Sequence, residues 1–541
     1  ELKAFDKNGK SITVKKTDDN TWRISKASDL YRITYMVEDS WDATMEDKPY
    51  TMAGTSFEAG KNFVLNTCGI FGFFEGKRNV AFDLSFTKPN GFYAATGLTP
   101  YQTGNTLDKM RADNADHLYD SPIMFSLPDT TSVKVGETEV LIAVYSPKKL
   151  FTSAYLAQGL SKLLWATKDY LGGKLPVKKY AFIYYFNGEQ APLTSAGAWE
   201  HSYSSFYSMP ELPVEQLGKT MIDISSHEFF HIVTPLTISS REIKEFNFNE
   251  TVLSKHLWLY EGSTEYDSHH AQVWGGLITP DQFLEVLEDK IKNSRTQYND
   301  TLPFTTMSVA SAGKYADQYN NVYEKGALIS ACLDLLLLDQ SGLQYSFKNL
   351  KHDLGVKYGK DKYFMDEDLF AEIEKLTWPQ VTSYFMNYVQ GNKAIPYEQY
   401  FALAGVDYVA KETVSEYSIG VDKMKRNASL EMLVEADPSV NAQGVALGYK
   451  KNDVLWKLGG TEINVLNIEK VAADYLASLK EGDKISATVK RKNAEGKEEV
   501  LILSAPAKKQ LKTREHVLRW SKNPTDEQIK LKNKWLNISC R

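Results

Sequence analysis

The sequence predicts an α+β multidomain protein: an N-terminal β domain, a larger mixed β/helical body and a smaller strand-rich unit near the C-terminus. Three observations carry this. The chain has 541 residues, several times a typical domain. Short runs of alternating apolar and polar residues, broken by Gly, Pro and Asn, recur from about Tyr31 to Val144 and return from about Tyr417. Between them, from roughly Pro213 to Leu403, apolar residues follow a helical period.

The first strand-rich region contains Tyr31-Arg32-Ile33-Thr34-Tyr35-Met36-Val37 and Val80-Ala81-Phe82-Asp83-Leu84, and its boundary is set at residues 1–150. The body, residues 151–410, opens with a helix near Thr152 to Asp169. The aromatic strand Lys179 to Asn187 follows, expected to be half-buried. Helices are then predicted over Val214 to Val233, stopped by Pro235, over Ser254 to Trp274, stopped by Gly275-Gly276, and over Lys325 to Leu338. In residues 411–506, Lys451 to Ile463 reads as strand, turn, strand. A helix follows from about Ile468 to Leu479, then strands at Ile485 to Val489 and Val500 to Leu503. The tail, residues 507–541, is basic and expected to be partly helical with a solvated face.

Composition narrows the function classes. Hydrophobic residues make up 43% and charged residues 24%, the balance of a soluble globular protein, and 31 Tyr suit large packed sheet surfaces. A formal charge of −6 with no basic stripe speaks against nucleic acid. Cys68, Cys332 and Cys540 lack metal-site spacing and form no disulfide framework, so they read as buried or incidental thiols. No apolar run reaches the ~18 residues of a membrane span. The chain starts at Glu1 rather than Met, which suits signal-peptide removal or trimming, and a periplasmic, cell-envelope or secreted location is expected over a cytoplasmic one. The oligomeric state is not legible.

His227-Glu228-Phe229-Phe230-His231 is an H-E-x-x-H sequence. On a helix, residues four apart share a face, so both imidazoles reach one ion and Glu228 stands beside the open coordination position as general base. A third ligand is expected. Glu261, flanked by bulky apolar residues in Trp258-Leu259-Tyr260-Glu261-Gly262-Ser263-Thr264-Glu265-Tyr266, supplies it, since an unpaired carboxylate there would be costly. Glu265, four residues on, is placed to accept the other ring N–H of His227 or His231. Two imidazoles and a carboxylate suit one Zn²⁺, although these residue types also admit cobalt or manganese. His256, His269 and His270 lie nearby in sequence without the motif's register and read as surface or packed histidines.

H-E-x-x-H followed by W-L-x-E-G-x-T-x-Y resembles the glutamate-zincin clan of metallopeptidases. The 29 residues between His231 and Glu261 are similar to the spacing in the glycyl aminopeptidase family, and longer than that of the alanyl aminopeptidases. The resemblance implies an N-terminal β-sandwich-like domain, a thermolysin-like catalytic domain and a C-terminal PDZ-like domain, with zinc as cofactor and peptides bearing a free N-terminus as substrates. Gly197-Ala198-Trp199-Glu200-His201 is similar to the family's G-G-L-E-H-like segment, which implies that Glu200 binds the substrate α-ammonium group and that Gly197 lets a peptide backbone approach; Ala198 and Trp199 depart from that pattern. Val322-Tyr323-Glu324-Lys325-Gly326 matches Y-E-K-G, which implies that Tyr323 donates to the oxyanion, with Tyr319 in reserve. Around Val440 to Gly444 no G-L-G-F-like carboxylate loop is evident, so packing or gating is the expected use of the PDZ-like unit.

The implied reaction is removal of N-terminal residues from peptides, including small ones such as Gly or Ala. Three readings stay open beside it: a zinc endopeptidase with the same metal site, a PDZ-type peptide-binding protein with a vestigial peptidase fold, and hydrolysis of a non-peptide substrate.

Overall fold

The computed structural model describes all residues except 1, 45–49, 189–195, 428–430, 436–440, 466 and 539–541, so Cys540 and Val440 fall outside the described residues. Near the N-terminus the chain forms small antiparallel sheets. One joins Ser56–Glu58, Asn62–Leu65, Ile123–Ser126 and Tyr93–Thr96; another joins Thr99–Gln102, Leu107–Ala112 and Phe82–Thr87. Their apolar faces meet over Leu84, Met110, Ile123 and Phe125.

The body is built on a five-stranded sheet. Its strands are β1 (Thr130–Val135), β2 (Thr138–Tyr145), β3 (Lys179–Asn187), β4 (Gly197–His201) and β5 (Ser204–Pro210), in the order β1-β2-β3-β5-β4. Helix α1 (Ser153–Tyr170) makes the crossover between the parallel neighbours β2 and β3, with Thr152 capping its start through the Tyr155 N–H. β4 runs antiparallel to β5 and forms one edge. Residues 130–145, which the sequence boundary assigned to the first domain, therefore belong to the sheet of the body. Hydrogen-bond pairing decides this, and an alternating pattern says nothing about which sheet a strand joins.

β3 also departs from expectation, because it is buried on both faces. Tyr180, Phe182, Tyr184 and Phe186 join the large helical core, whereas Ala181, Ile183 and Tyr185 pack against Val64, Ala95 and Met124 of the N-terminal sheets. The period of two thus sorts β3 between two cores. Aromatic rings fill the wider space on the helical side.

The helical layer comprises α2 (Val214–Phe230), α3 (Ser263–Trp274), α4 (Pro280–Gln297) and α5 (Asn321–Gln340). α4 starts at a capping box between Thr279 and Gln282 with Pro280 in the first turn. α5 is apolar on every side and correspondingly buried from Lys325 to Leu338. The helix expected from Ser254 begins at Trp258, and its first turn, Trp258–Gly262, is a π-helix. Before it, Asp366 accepts from the Ser254 hydroxyl and the Lys255 N–H, and Ser308 accepts from the Leu257 N–H, so side chains take the donors a helix would use.

Two long strands, β6 (Val406–Tyr417) and β7 (Lys509–Trp520), pair as an antiparallel ribbon that leaves the body and returns to it. Between them sits a unit with its own core, formed by a sheet of Met424–Arg426, Met432–Val434, Val454–Leu458, Lys484–Lys492 and Glu498–Pro506 and by the helices Ala442–Leu447 and Ile468–Ser478. The final helix, α6 (Asp526–Trp535), docks on the body: Leu531, Trp535 and Leu536 are buried, and the Trp535 indole donates to the Tyr266 hydroxyl at 2.8 Å. The expected solvated face is one side of this helix only. Its charges occupy the outer face, while three apolar side chains at helical spacing seal the far side of α3.

Candidate metal centre

α2 delivers His227 and Glu228 from its last turn and His231 as the residue that caps it, while the π turn delivers Glu261. The His227 Nε2 lies 3.3 Å and the His231 Nε2 3.8 Å from Glu261 Oε2. The three ligand atoms all lie within 4.8 Å of one another. Each imidazole is oriented by its other nitrogen: His227 Nδ1 is 2.7 Å from Glu265 Oε2, and His231 Nδ1 is 2.8 Å from the Thr234 carbonyl. Both Nε2 atoms are thereby turned toward Glu261. The Nε2 of His231 is buried and has no hydrogen-bond partner among the described residues. An orphaned ring nitrogen beside a carboxylate and a second imidazole is the donor set of a zinc site, so the residues fit the ion that the sequence implies.

Electrostatics agree with that fit. Burial pushes the His231 imidazole down to about 4, so it presents a lone pair. Burial works to raise the Glu261 carboxyl, but its hydrogen bond with His227 and the electrostatic pull of the two imidazoles outweigh this and hold it below its ordinary value. His227 is penalised by burial yet drawn upward by Glu261 and Glu265. The same carboxylates that attract a proton there would attract a divalent cation.

Glu228 is 6% exposed, and its Oε2 has no hydrogen-bond partner among the described residues. Burial, opposed by His227 and assisted by Glu261 and Glu265, pushes its carboxyl up to about 8. Glu200, on edge strand β4, lies with Glu228 and His231 in a second group whose polar atoms are within 4.8 Å of one another. Burial and the charges of Glu261 and Glu228 push its carboxyl well above the ordinary range. A cationic group in the cleft would relieve that crowding.

The Tyr323 ring sits 5.5 Å from that of His227, and its hydroxyl is 3.3 Å from that of Tyr319. Gly197 is at the start of β4, where an added Cβ would stand 2.7 Å from Met52 Cε, so its missing side chain admits the N-terminal domain against the edge strand. Beyond the bond of its Oε2 to His227, Glu265 receives Lys290 on Oε1 at 2.7 Å, and Oε1 lies 3.3 Å from the His269 ring. His256 and His270 are buried and committed elsewhere, to the Asp366 and Trp535 carbonyls.

Lys290 and Thr234 escaped the sequence reading. Thr234 acts through a backbone carbonyl, which carries no residue signature. Lys290 did leave a signal, since it falls among Phe283, Leu287, Ile291 and Ser294 on the buried face of α4, where a cation needs a partner. The two motif glycines also gain a meaning. A Cβ on Gly262 would lie 2.4 Å from the Gly326 carbonyl carbon, so the π turn and α5 touch backbone to backbone.

The N-terminal region, residues 1–127, matches the Peptidase M61 N-terminal domain, and residues 220–329 match the M61 glycyl aminopeptidase model. A search of curated protein sequences finds no match to this chain. Among solved structures, an aminopeptidase N family protein from Idiomarina loihiensis is 17% identical, with a TM-score of 0.66 over 99% of this chain and 91% of that one. An M1 zinc metallopeptidase from Deinococcus radiodurans is 14% identical, with a TM-score of 0.47 over 73% of this chain and 87% of that one. The first likeness extends the shared fold over nearly the whole chain. With the N-terminal and catalytic models matched in order, and the catalytic model spanning His227 through Glu261, the chain carries the N-terminal and catalytic domains of the M61 glycyl aminopeptidases and is a zinc metallopeptidase.

Proposed function

We propose that this aminopeptidase releases N-terminal residues, including small ones such as Gly or Ala, from peptides, with His227, His231 and Glu261 holding the zinc. The observation that carries the exopeptidase reading is the placement of Glu200 on an edge strand, within 4.8 Å of Glu228 and His231. When bound, zinc supplies Lewis acidity, polarising a carbonyl oxygen and acidifying water. Glu228 takes the proton from the attacking water and passes it to the leaving amine. Tyr323 donates its hydroxyl hydrogen bond to the oxyanion of the tetrahedral intermediate. Glu200 receives the substrate ammonium group, so a chain with no free N-terminus lacks its anchor.

Glu200→Gln tests the anchor. Leaving a desolvated ammonium without its counter-charge costs about 2 kcal/mol or more, roughly 30-fold in kcat/KM for free-amine substrates. Steady-state kinetics on paired free and N-acetylated aminoacyl substrates read it. If the parent enzyme cuts both members of a pair equally well, it is an endopeptidase and Glu200 does something else. Removal of metal with a chelator is expected to abolish hydrolysis and added Zn²⁺ to restore it, with metal analysis following the ion.

The unit carried by the β6–β7 ribbon we read as PDZ-like, used for packing or gating. Its order of strands and helices supports the likeness. The Asn441 side chain accepts from the Gln443 and Gly444 N–H groups, which supports the second part, because those donors are taken up internally and do not await a ligand carboxylate.

A further inference from the structure

The Lys290 ammonium is buried, at 8% exposure, in a region where a lone cation would be expensive. Its Nζ lies 2.7 Å from Glu265 Oε1 and 3.8 Å from Glu324 Oε2. These two carboxylates have different neighbours: Glu265 orients His227 through its other oxygen, and Glu324 adjoins Tyr323 at the start of α5. Among the described residues no hydrogen bond or ion pair joins Lys290 to His227, His231 or Glu261.

Helix α4 is itself held firmly. Glu288 accepts from the Leu518 N–H of β7 at 2.9 Å, and Arg295 donates to the Tyr408 hydroxyl of β6 at 2.9 Å while lying over the Tyr397 ring. Lys290 therefore projects inward from a braced helix. With Oε2 bonded to His227 and Oε1 to Lys290, the Glu265 carboxylate has both ends fixed, and with it the plane of the His227 ring. The His269 ring, at 3.3 Å from Oε1, is half-buried and more distant, so it is the weaker of the two donors.

We infer that Lys290 is a positioning residue for the metal centre, acting on the zinc through Glu265 and His227 and tying that side of the cleft to the Tyr323 helix through Glu324. This rests on the assignment of His227 as a ligand. Partners of this kind, one bond beyond a ligand, are worth about 10–100-fold in metal affinity. The chain of contacts requires that the effects of Lys290 and Glu265 overlap, since both reach the ion by one route.

The experiment uses full-length, zinc-loaded protein and follows zinc release to a chromogenic chelator for the parent, K290M, E265Q and the double variant, alongside kcat, KM and thermal unfolding. K290M is expected to release zinc about 10–100-fold faster than the parent and to lose kcat more than KM. The double variant is expected to release it within about threefold of E265Q alone. If K290M does not fold, K290Q, uncharged and still a hydrogen-bond donor, carries the same expectation. Release from K290M or K290Q within threefold of the parent, or effects that multiply in the double variant, overturns the inference. A parent that takes up no zinc removes the ligand assignment as well, which separates the two failures.

Discussion

Glu228→Gln is expected to keep its zinc and to lose about 10³-fold in kcat, the scale of a missing general base. Gln has the same shape and hydrogen-bonding reach, but it cannot accept the proton of an attacking water. Glu228 is not among the three atoms grouped around the metal position, so metal content should stay near one ion per chain when measured on purified protein. Folding should be unharmed. The side chain is buried with an oxygen that has no partner among the described residues, and an amide of the same shape fills the same space. Kinetics on a free-amine aminoacyl substrate, with metal analysis of the same sample, check both halves. A variant within tenfold of the parent would show that another group does the proton transfer.

The second large effect is expected from Gly262→Ala, a change that adds one methyl group and touches no catalytic side chain. The new Cβ would meet Gly326 backbone atoms at 2.4, 2.5 and 2.7 Å, and backbone cannot rotate aside as a side chain can. The π turn and α5 must separate by about an ångström to reach ordinary van der Waals distance. Overpacking of this sort costs about 1–3 kcal/mol. The turn that moves carries Glu261, and the helix it moves from carries Tyr323. A displacement of that size between groups acting on one carbonyl costs about 10²-fold in rate. Calorimetry should show a lowered Tm, and kinetics a fall in kcat larger than any stability loss explains at the assay temperature. An enzyme with unchanged kcat would mean that the two backbones do not need their close approach. Gly326→Ala is the milder partner experiment, because its Cβ would stand 2.8 Å from Gly262 Cα and has fewer backbone atoms to displace.

Much of the fold was legible wherever the signal is local. The expected span of β3 is Lys179–Asn187, as observed; the expected helix near Thr152 runs Ser153–Tyr170; and the helix expected from about Ile468 runs Ile468–Ser478. In each case side-chain period and punctuation residues set the element without reference to distant parts. The misjudged points all depend on a distant partner. β1 and β2 were given to the wrong unit because the pairing of β2 with β3, which draws the β1–β2 hairpin into the body, joins positions about 40 residues apart. The last helix looked solvated because the pocket for Trp535 is made by Tyr266, His270 and Phe283. The start of the Glu261 helix slipped because Asp366 and Ser308 capture the donors before it.

By itself, the sequence determined the chemistry on offer: two histidines and a carboxylate one helical turn apart at most, a second carboxylate in another motif, and the order of sheet, helices and strand-rich unit. Those follow from covalent spacing and helical period, which no tertiary contact alters. Tertiary structure alone decided that Glu200 and Tyr323 lie beside the H-E-x-x-H motif, that Lys290 bonds to Glu265, and that two glycines let the turn bearing Glu261 and the helix bearing Tyr323 touch backbone to backbone. These depend on how closely packed elements approach across 25 residues or more of chain, a distance fixed by steric fit among many side chains and written in no single segment.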